Sequence, residues 1–205
     1  MGQLILLRHG ETEWSRSGRH TGRTDIPLTS RGEAAAAALA PTLAGRDIRA
    51  VFTSPAARAV RTAELAGLGL HGGGLVADPD LWEWDYGGYE GRTTDEIQQD
   101  RPGWYLWRDG VIPGDAAHPG ETATQVGDRV DRVLALARPL LAAGDVALVA
   151  HGHSLRILAA RWLELDASCG RLFQLDTGTL SALGAEHGMP VIASWNVPPA
   201  GQQPA

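Results

Sequence analysis

The stretch Leu4-Ile5-Leu6-Leu7-Arg8-His9-Gly10-Glu11 decides how this chain folds. Its first four residues are apolar without alternation, a pattern typical of a buried strand that is covered on both faces. The strand would deliver Arg8 and His9 to one end of a sheet, and Gly10 leaves room for an incoming group beside the imidazole. A guanidinium next to a histidine makes a good phosphate site. We therefore expect His9 to attack phosphorus.

Length and composition indicate one globular domain. With 205 residues the chain can bury one sizeable core but is short for two. We expect a single domain over residues 1–197 and a disordered tail over 198–205, which is rich in Pro, Gly and Gln. The net charge of −6 argues against a nucleic-acid partner, because proteins that bind nucleic acid usually carry a basic surplus.

All 18 basic residues are arginine, and lysine is absent. This excludes a nucleotide-binding phosphate loop and a Schiff base, because both need a lysine. A bound anion must then be held by Arg, His or backbone N–H groups. The one cysteine, Cys169, is expected to be a small buried hydrophobe, and no leader or membrane-spanning run is evident. We expect a cytoplasmic protein with no membrane partner, and the sequence leaves a homodimer open.

Predicted strands alternate with predicted helices along the chain. Apolar runs predict strands at 3–7, 49–53, 75–77, 145–150, 171–175, 179–185 and 191–195. Capping residues and helical spacing predict helices over 30–44 (with a capping box of Ser30 and Glu33), over 54–67 (with Ser54 as N-cap and Pro55 in the first turn), from Thr93, over 121–141 and from Ser154 to 163. Residues 10–28 and 104–120 are predicted as irregular. The alternation predicts a three-layer α/β/α sandwich with a mainly parallel central sheet.

Arg8, His9, Arg58 and His151 all lie just after predicted strands. Ligands of such sheets bind outside the carboxyl ends of the strands, so we expect these side chains to converge. The two arginines can hold phosphate oxygens in bidentate fashion, and a protonated His151 would add positive charge beside a transferring phosphoryl group. Nearby arginines would keep His9 neutral, and a backbone carbonyl would fix its tautomer.

These residues also have ordinary structural interpretations. A lone histidine at a strand end can be structural, and Arg58 can be a surface residue of a helix. His151 and His153 could instead be a pair of metal ligands. No cluster of Asp or Glu adjoins them in the sequence, so we expect no metal and no cofactor.

Departure of an alkoxide needs a proton donor, and Glu83 is the favoured candidate. It lies between Trp82 and Trp84, and an apolar setting favours the protonated carboxyl that a general acid requires. Asp85 and Glu90 compete for this role. In the alternative interpretation the tryptophans belong to the core and the acids are solvated.

At these residues the sequence resembles the histidine phosphatase superfamily, which includes the cofactor-dependent phosphoglycerate mutases. The resemblance runs from residue 4 to 195 and is carried by Arg8-His9-Gly10-Glu11, Glu83-x-x-Tyr86 and His151-Gly152-His153. It implies a phosphoglycerate mutase-like fold in which His9 is phosphorylated, Glu83 is the proton donor, and the phosphate pocket is formed by Arg8, Arg58 and His151. It also implies substrate contacts from Ser15, Thr21, Gly22, Tyr86 and Gly152.

Within that superfamily the sequence is more similar to sedoheptulose-bisphosphatase-like and broad acid phosphatases than to mutases. Thr94 stands where mutases have a lysine, and Trp107-Arg108-Asp109-Gly110 stands where they carry paired arginines. The resemblance implies that Arg108 contacts the far end of the substrate.

We therefore predict a metal-independent phosphatase that hydrolyses phosphomonoesters of small metabolites, either sugar phosphates or bisphosphates. His9 would take the phosphoryl group while Glu83 protonates the leaving oxygen, and water would then attack the phosphohistidine. The alternatives are a phosphoglycerate mutase and a phospho-ligand-binding module without catalytic activity.

Overall fold

A mainly parallel sheet forms the centre of the molecule. The computed structural model describes residues 2–200. Its strands are β1 (Leu4–Arg8), β2 (Ile48–Thr53), β3 (Leu75–Ala77), β4 (Asp145–Ala150), β5 (Leu180–Glu186) and β6 (Met189–Val197). They are arranged in the order β3-β2-β4-β1-β5-β6. The first four in this order are mutually parallel. Strand β5 pairs antiparallel with β1, and β6 pairs antiparallel with β5.

Helices cover both faces of this sheet. They are α1 (Glu13–Arg16), α2 (Ser30–Ala37), α3 (Ala40–Ala44), α4 (Ala57–Leu65), α5 (Thr94–Asp100), α6 (Leu106–Asp109), α7 (Ala123–Leu140) and α8 (Gly152–Trp162). Short 3₁₀ turns lie at Leu68–Leu70, Pro79–Leu81, Gly87–Tyr89 and Ala167–Leu172. No helix in the described part of the chain combines the length and apolar content needed to span a membrane.

Strand β1 divides the core into two layers. Its side chains alternate between the faces of the sheet, so that Leu4 and Leu6 join one apolar cluster with α7 and α8. Ile5 and Leu7 join a second cluster with α3 and α4. Because both faces of the strand are buried, its sequence shows a continuous apolar run rather than alternation. The expected three-layer α/β/α sandwich is confirmed.

Several predicted boundaries are wrong, each for a local reason. The helix predicted over 30–44 is divided into α2 and α3, because Pro41 lies in the first turn of α3 and has no N–H for a continuous ladder. Its N-cap is Thr29 rather than Ser30. The strand predicted at 171–175 does not form. Residues 171 and 172 end the 3₁₀ turn Ala167–Leu172, which starts where the Asp166 side chain accepts a hydrogen bond from the backbone of Ser168, and residues 173–175 belong to no helix or strand.

Only the first three residues of the predicted disordered tail lie within the described part of the chain. Residues 198–200 follow β6 without forming a helix or strand. The disorder expected for the tail falls mostly on residues 201–205, which lie outside the described residues.

Candidate active site

The site lies where three neighbouring parallel strands end. Register pairs Arg8 of β1 with Ala150 of β4, and Thr53 of β2 with Val149 of β4. The residues that follow these strands are His9, His151 and Ser54, so the sheet brings them to one edge. The rings of His9 and His151 meet edge to face with their centroids 5.1 Å apart.

The surroundings of His9 favour a neutral imidazole. Its Nδ1 atom lies 2.7 Å from the carbonyl oxygen of Gly10, which can only accept, so Nδ1 carries the hydrogen and Nε2 carries the lone pair. Burial, together with the Arg58 and Arg8 guanidinium groups, holds the pKa of His9 well below its usual 6.5. The tautomer and the neutral state expected from the sequence are therefore both present.

Arg8 has a hydrogen-bond donor that no group in the described residues accepts from. One Nη1 hydrogen bond goes to the carbonyl of Leu175, and the buried Nε–H has no partner among residues 2–200. Gly152 permits this placement, because a Cβ there would lie 3.1 Å from the Arg8 Cζ atom. An unsatisfied buried donor is costly, so Arg8 is suited to an incoming anion.

Arg58 is fully buried at the start of α4 and is held by the loop before it. Its Nη1 donates to the carbonyl of Thr24 at 2.9 Å, and its Nη2 donates to that of Gly22 at 2.9 Å. Its Nε donates to Nδ1 of His151 at 3.3 Å. Arg58 is therefore a core residue beside the histidines, not the surface helix residue of the alternative interpretation.

The expectation of a protonated His151 is wrong. Burial, followed by the Arg58 charge, holds the pKa of His151 well below 6.5. Because Nδ1 accepts from Arg58, the hydrogen lies on Nε2, which donates to Oγ of Ser54 at 2.7 Å. Ser54 was expected to cap a helix, but α4 begins three residues later with Ala56 as its N-cap. Sequence reasoning assigned the hydroxyl to the helix because Ser-Pro is a frequent helix start.

Glu83 is held by backbone amides rather than sandwiched between indole rings. Its Oε1 accepts from the N–H groups of Trp84 at 2.8 Å and Ser154 at 2.9 Å, and its Oε2 accepts from that of His153 at 3.0 Å. Ser154 and His153 belong to the first turn of α8, which begins at Gly152 and not, as predicted, after Ser154. Trp84 is buried in the apolar core on the α7 side.

A cavity of about 190 Å³ opens beside His9. The residues that line it come from the end of β1, from α1, from the first turn of α8 and from two loops: Arg8, His9, Ser15, Gly18, Arg19, His20, Thr21, Glu83, Tyr86 and His153. Thus the structure gathers Ser15, Thr21 and Tyr86 around the same space as His9 and Glu83. Arg58 and His151 adjoin His9 without forming part of this wall.

Three of the expected substrate contacts, Gly22, Gly152 and Arg108, do not line this cavity. Gly152 lies against the Arg8 guanidinium instead. The Gly22 N–H is bound by the Glu90 carboxylate, and its carbonyl is bound by Arg58, so Gly22 takes no part in the cavity wall. Arg108 lines a separate cavity of about 410 Å³, where its guanidinium pairs with Asp109 and the carbonyl of Gly103. The Arg108 guanidinium is therefore paired locally, with its chain neighbour Asp109.

Sequence reasoning missed two histidines of the cavity wall. Burial lowers the pKa of His20 to about 4, and its Nε2 has no partner in the described part of the chain. His153 was considered only as a metal ligand. Its Nδ1 lies 2.7 Å from the Tyr86 hydroxyl, whereas both ring nitrogens of His151 are bound to Arg58 and Ser54. Residues 2–200 contain no group of three or more His, Cys, Asp or Glu side chains placed to hold a metal ion.

A buried neutral histidine beside two arginines, at the carboxyl edge of an α/β/α sandwich, is typical of enzymes that act on phosphate esters. The chain belongs to the histidine phosphatase superfamily (branch 1), whose family model matches residues 4–198. Its relatives and structural neighbours include phosphatases, and it is a phosphoric monoester hydrolase of this superfamily.

Similar proteins differ in their named activities. The chain is 42% identical to an acid phosphatase of Mycobacterium tuberculosis, over 93% of this chain and 90% of that one. It is 38% identical to sedoheptulose 1,7-bisphosphatase of Saccharomyces cerevisiae, over 80% and 68%. It is 31% identical to a probable phosphoglycerate mutase of Cronobacter sakazakii, over 98% and 93%. A mycobacterial glucosyl-3-phosphoglycerate phosphatase, solved with vanadate, has a TM-score of 0.82 at 29% identity, covering 96% and 100%.

Proposed function

We propose that this protein hydrolyses phosphomonoesters of small metabolites, sugar phosphates or bisphosphates, through a phosphohistidine at Nε2 of His9 and without a metal ion. One observation carries the proposal. The Gly10 carbonyl fixes the hydrogen of His9 on Nδ1 and leaves the lone pair on Nε2, and His9 lines the same cavity as Arg8, whose Nε–H has no partner in the described residues.

In the first step, Nε2 of His9 attacks phosphorus and the ester P–O bond breaks. Arg8 binds the phosphoryl oxygens, and the charge of Arg58, which lies outside the cavity wall with its donors bound to Thr24, Gly22 and His151, adds positive potential beside His9. The leaving oxygen takes a proton from Glu83. Since both lone-pair positions of Glu83 Oε1 are taken by backbone N–H groups, we assign this proton to Oε2, which accepts only one such bond in the described residues.

In the second step, water attacks the phosphohistidine. Glu83, now a carboxylate, takes the proton from that water, the N–P bond breaks and inorganic phosphate leaves. His9 is restored in its neutral form, so the cycle is balanced without an additional reactant.

Cavity size supports a small substrate. A volume of about 190 Å³ is below the roughly 300–1,000 Å³ of drug-sized sites, so a phosphate and a short carbon chain fill it. The Tyr86 hydroxyl stays protonated, because burial raises its pKa well above 10. Tyr86 therefore offers a neutral hydroxyl to the part of the substrate beyond the phosphate.

The direct test is to trap the intermediate. After rapid quenching with a ³²P-labelled substrate, we expect acid-labile, base-stable label on the chain. His9→Ala should carry no label, whereas His71→Ala should be labelled like the wild type, because His71 precedes β3 at the opposite edge of the sheet. Turnover by His9→Ala, with activity lost on adding a chelator, would overturn the proposal.

The similarity to a probable phosphoglycerate mutase makes mutase activity the second candidate. A coupled assay with 3-phosphoglycerate and 2,3-bisphosphoglycerate separates the two functions. Isomer formation that outpaces phosphate release would favour the mutase. Tight binding of a phosphorylated ligand without release of phosphate would instead indicate a binding module.

A further inference from the structure

Arg129 is a buried charge on an otherwise apolar helix face. It lies in α7 between the buried residues Val126, Val130 and Val133, and only 5% of its surface is exposed. Burying a guanidinium is unfavourable unless it is paired and hydrogen bonded. Its partners should therefore reveal what it does.

Three of those partners are backbone carbonyls of the segment that carries Glu83. Nη1 of Arg129 donates to the carbonyls of Asp80 at 2.8 Å and Trp82 at 2.6 Å. Nη2 donates to the carbonyl of Glu83 itself at 3.0 Å. Residues 83–86 belong to no helix or strand, so no ladder fixes their backbone. The planar guanidinium of Arg129 instead supplies hydrogen-bond donors to the backbone carbonyls of this segment.

Glu121 completes the arrangement on the other side of Glu83. Its carboxylate accepts from Nε of Arg129 at 2.9 Å and from the N–H of Asp85 at 2.9 Å. Its own backbone N–H donates to the carbonyl of Asp85 at 2.9 Å, and its carbonyl accepts from the indole of Trp84 at 2.8 Å. The Arg129–Glu121 pair thus fixes the chain on both sides of Glu83.

We propose that Arg129, with Glu121, is a positioning residue that aims the Glu83 carboxyl at the leaving oxygen. The first turn of α8 holds the carboxylate, and Arg129 holds the main chain from which it extends. The inference depends on the proposed role of Glu83 as proton donor. A shift of about 1 Å in such a group can reduce the rate by roughly 100-fold.

Leaving-group dependence distinguishes positioning of an acid from a general loss of structure. An alkoxide leaving group needs the proton from Glu83, whereas 2,4-dinitrophenolate departs without one. We expect Arg129→Met and Arg129→Lys to lower kcat/KM for glycerol 2-phosphate by about 10- to 100-fold and for 2,4-dinitrophenyl phosphate by less than about threefold. Arg129→Lys keeps the positive charge but lacks the planar, forked guanidinium. If Arg129→Met does not fold, the result for Arg129→Lys decides the test.

Arg132→Met is the matched control. Arg132 lies on the same helix and binds the Asp80 side chain at 2.6 Å, but 61% of its side chain is exposed. We expect it to leave kcat/KM for both esters unchanged. Equal losses on the two esters in the Arg129 variants, or no loss, would overturn the inference.

Glu83→Gln in the same panel separates this inference from the proposed function. If Glu83→Gln slows only the alkyl ester and the Arg129 variants do not, the positioning role is wrong and the proton-donor role stands. If Glu83→Gln affects both esters equally or neither, the proton-donor role fails and the inference fails with it.

Discussion

The backbone N–H of Gly10 donates to Oγ1 of Thr62 over 3.0 Å, and the same hydroxyl donates to the carbonyl of Arg58 at 2.7 Å. One buried hydroxyl thus joins the loop that carries His9 to the helix that carries Arg58. The carbonyl of the same residue, Gly10, accepts from Nδ1 of His9 and so fixes the tautomer of that imidazole. The loop that carries His9 and helix α4 are therefore coupled through Thr62.

Thr62→Val should loosen this coupling. The substitution keeps the shape but leaves the Gly10 N–H unpaired, at a cost of about 1–3 kcal/mol in the free energy of unfolding. We also expect kcat to fall, because the Gly10 carbonyl is less firmly placed. Urea unfolding and steady-state kinetics measure the two effects. Thr62→Ser keeps the hydroxyl and should retain activity, and equal behaviour of the two variants would contradict the assigned role.

Ser54→Ala should disorder the His151 ring. Without the hydroxyl, the Nε2–H of His151 has no acceptor, and we expect a loss of about 1–3 kcal/mol in stability. We expect kcat/KM to fall by about tenfold, because the ring beside His9 loses its fixed orientation. Ser30→Ala, at an exposed position of α2, is the control and should match the wild type. An unchanged kcat/KM in Ser54→Ala would refute the positioning of His151 by this serine.

Gly152→Ala tests the room left for Arg8. The new methyl group would lie 3.1 Å from Cζ and 3.3 Å from Nε of Arg8, closer than ordinary van der Waals contact. We expect the guanidinium to shift and the Ki of the phosphate analogue vanadate to rise by about tenfold, with little change in stability. Gly45→Ala is the matched control, because a Cβ there has no heavy atom within 4 Å. Undiminished vanadate affinity in Gly152→Ala would show that Arg8 does not hold the anion.

Buried neutral histidines should make the protein sensitive to acid. Burial lowers the pKa values of His9, His20, His151 and His153 below 6.5. The unfolded chain takes up protons as the pH falls through 6.5, whereas the folded chain does not. The free energy of unfolding should therefore be highest above pH 6.5 and decline below it, by at most about 1.4 kcal/mol per pH unit for each histidine.

His20→Gln isolates one of these contributions. Because the pKa of His20 is lowered to about 4, its part of the decline should extend from pH 6.5 to about 4. Between pH 6.5 and about 4, the free energy of unfolding of His20→Gln should therefore fall less steeply with decreasing pH than that of the wild type. Urea unfolding at several pH values measures both slopes, and parallel slopes would show that His20 is protonated in the folded protein.

The sequence predicted each strand of the described sheet and the meeting of the strand ends, but it also predicted a strand at 171–175 that does not form. The apolar runs at β1 and β4 are continuous because both faces of these strands are covered, and that pattern is visible in one dimension. Parallel strands then require that Arg8, His9 and His151 lie at one edge. Prediction failed where a side chain has both local and distant partners within reach. Ser54 was predicted to cap α4 but binds His151, and Arg108 was predicted to contact the substrate but binds Asp109.

Residue types and their order in the chain determined the fold class, the position of His9 and the family. Only the tertiary structure decided the protonation of His151, the backbone amides that hold Glu83, and the buried Arg129 that fixes its loop. Protonation and hydrogen bonding depend on burial and on groups distant in the chain: His151 and Ser54 are 97 residues apart, and Ser154 and Glu83 are 71 apart. Such contacts leave no periodic pattern in the sequence, because packing alone creates them.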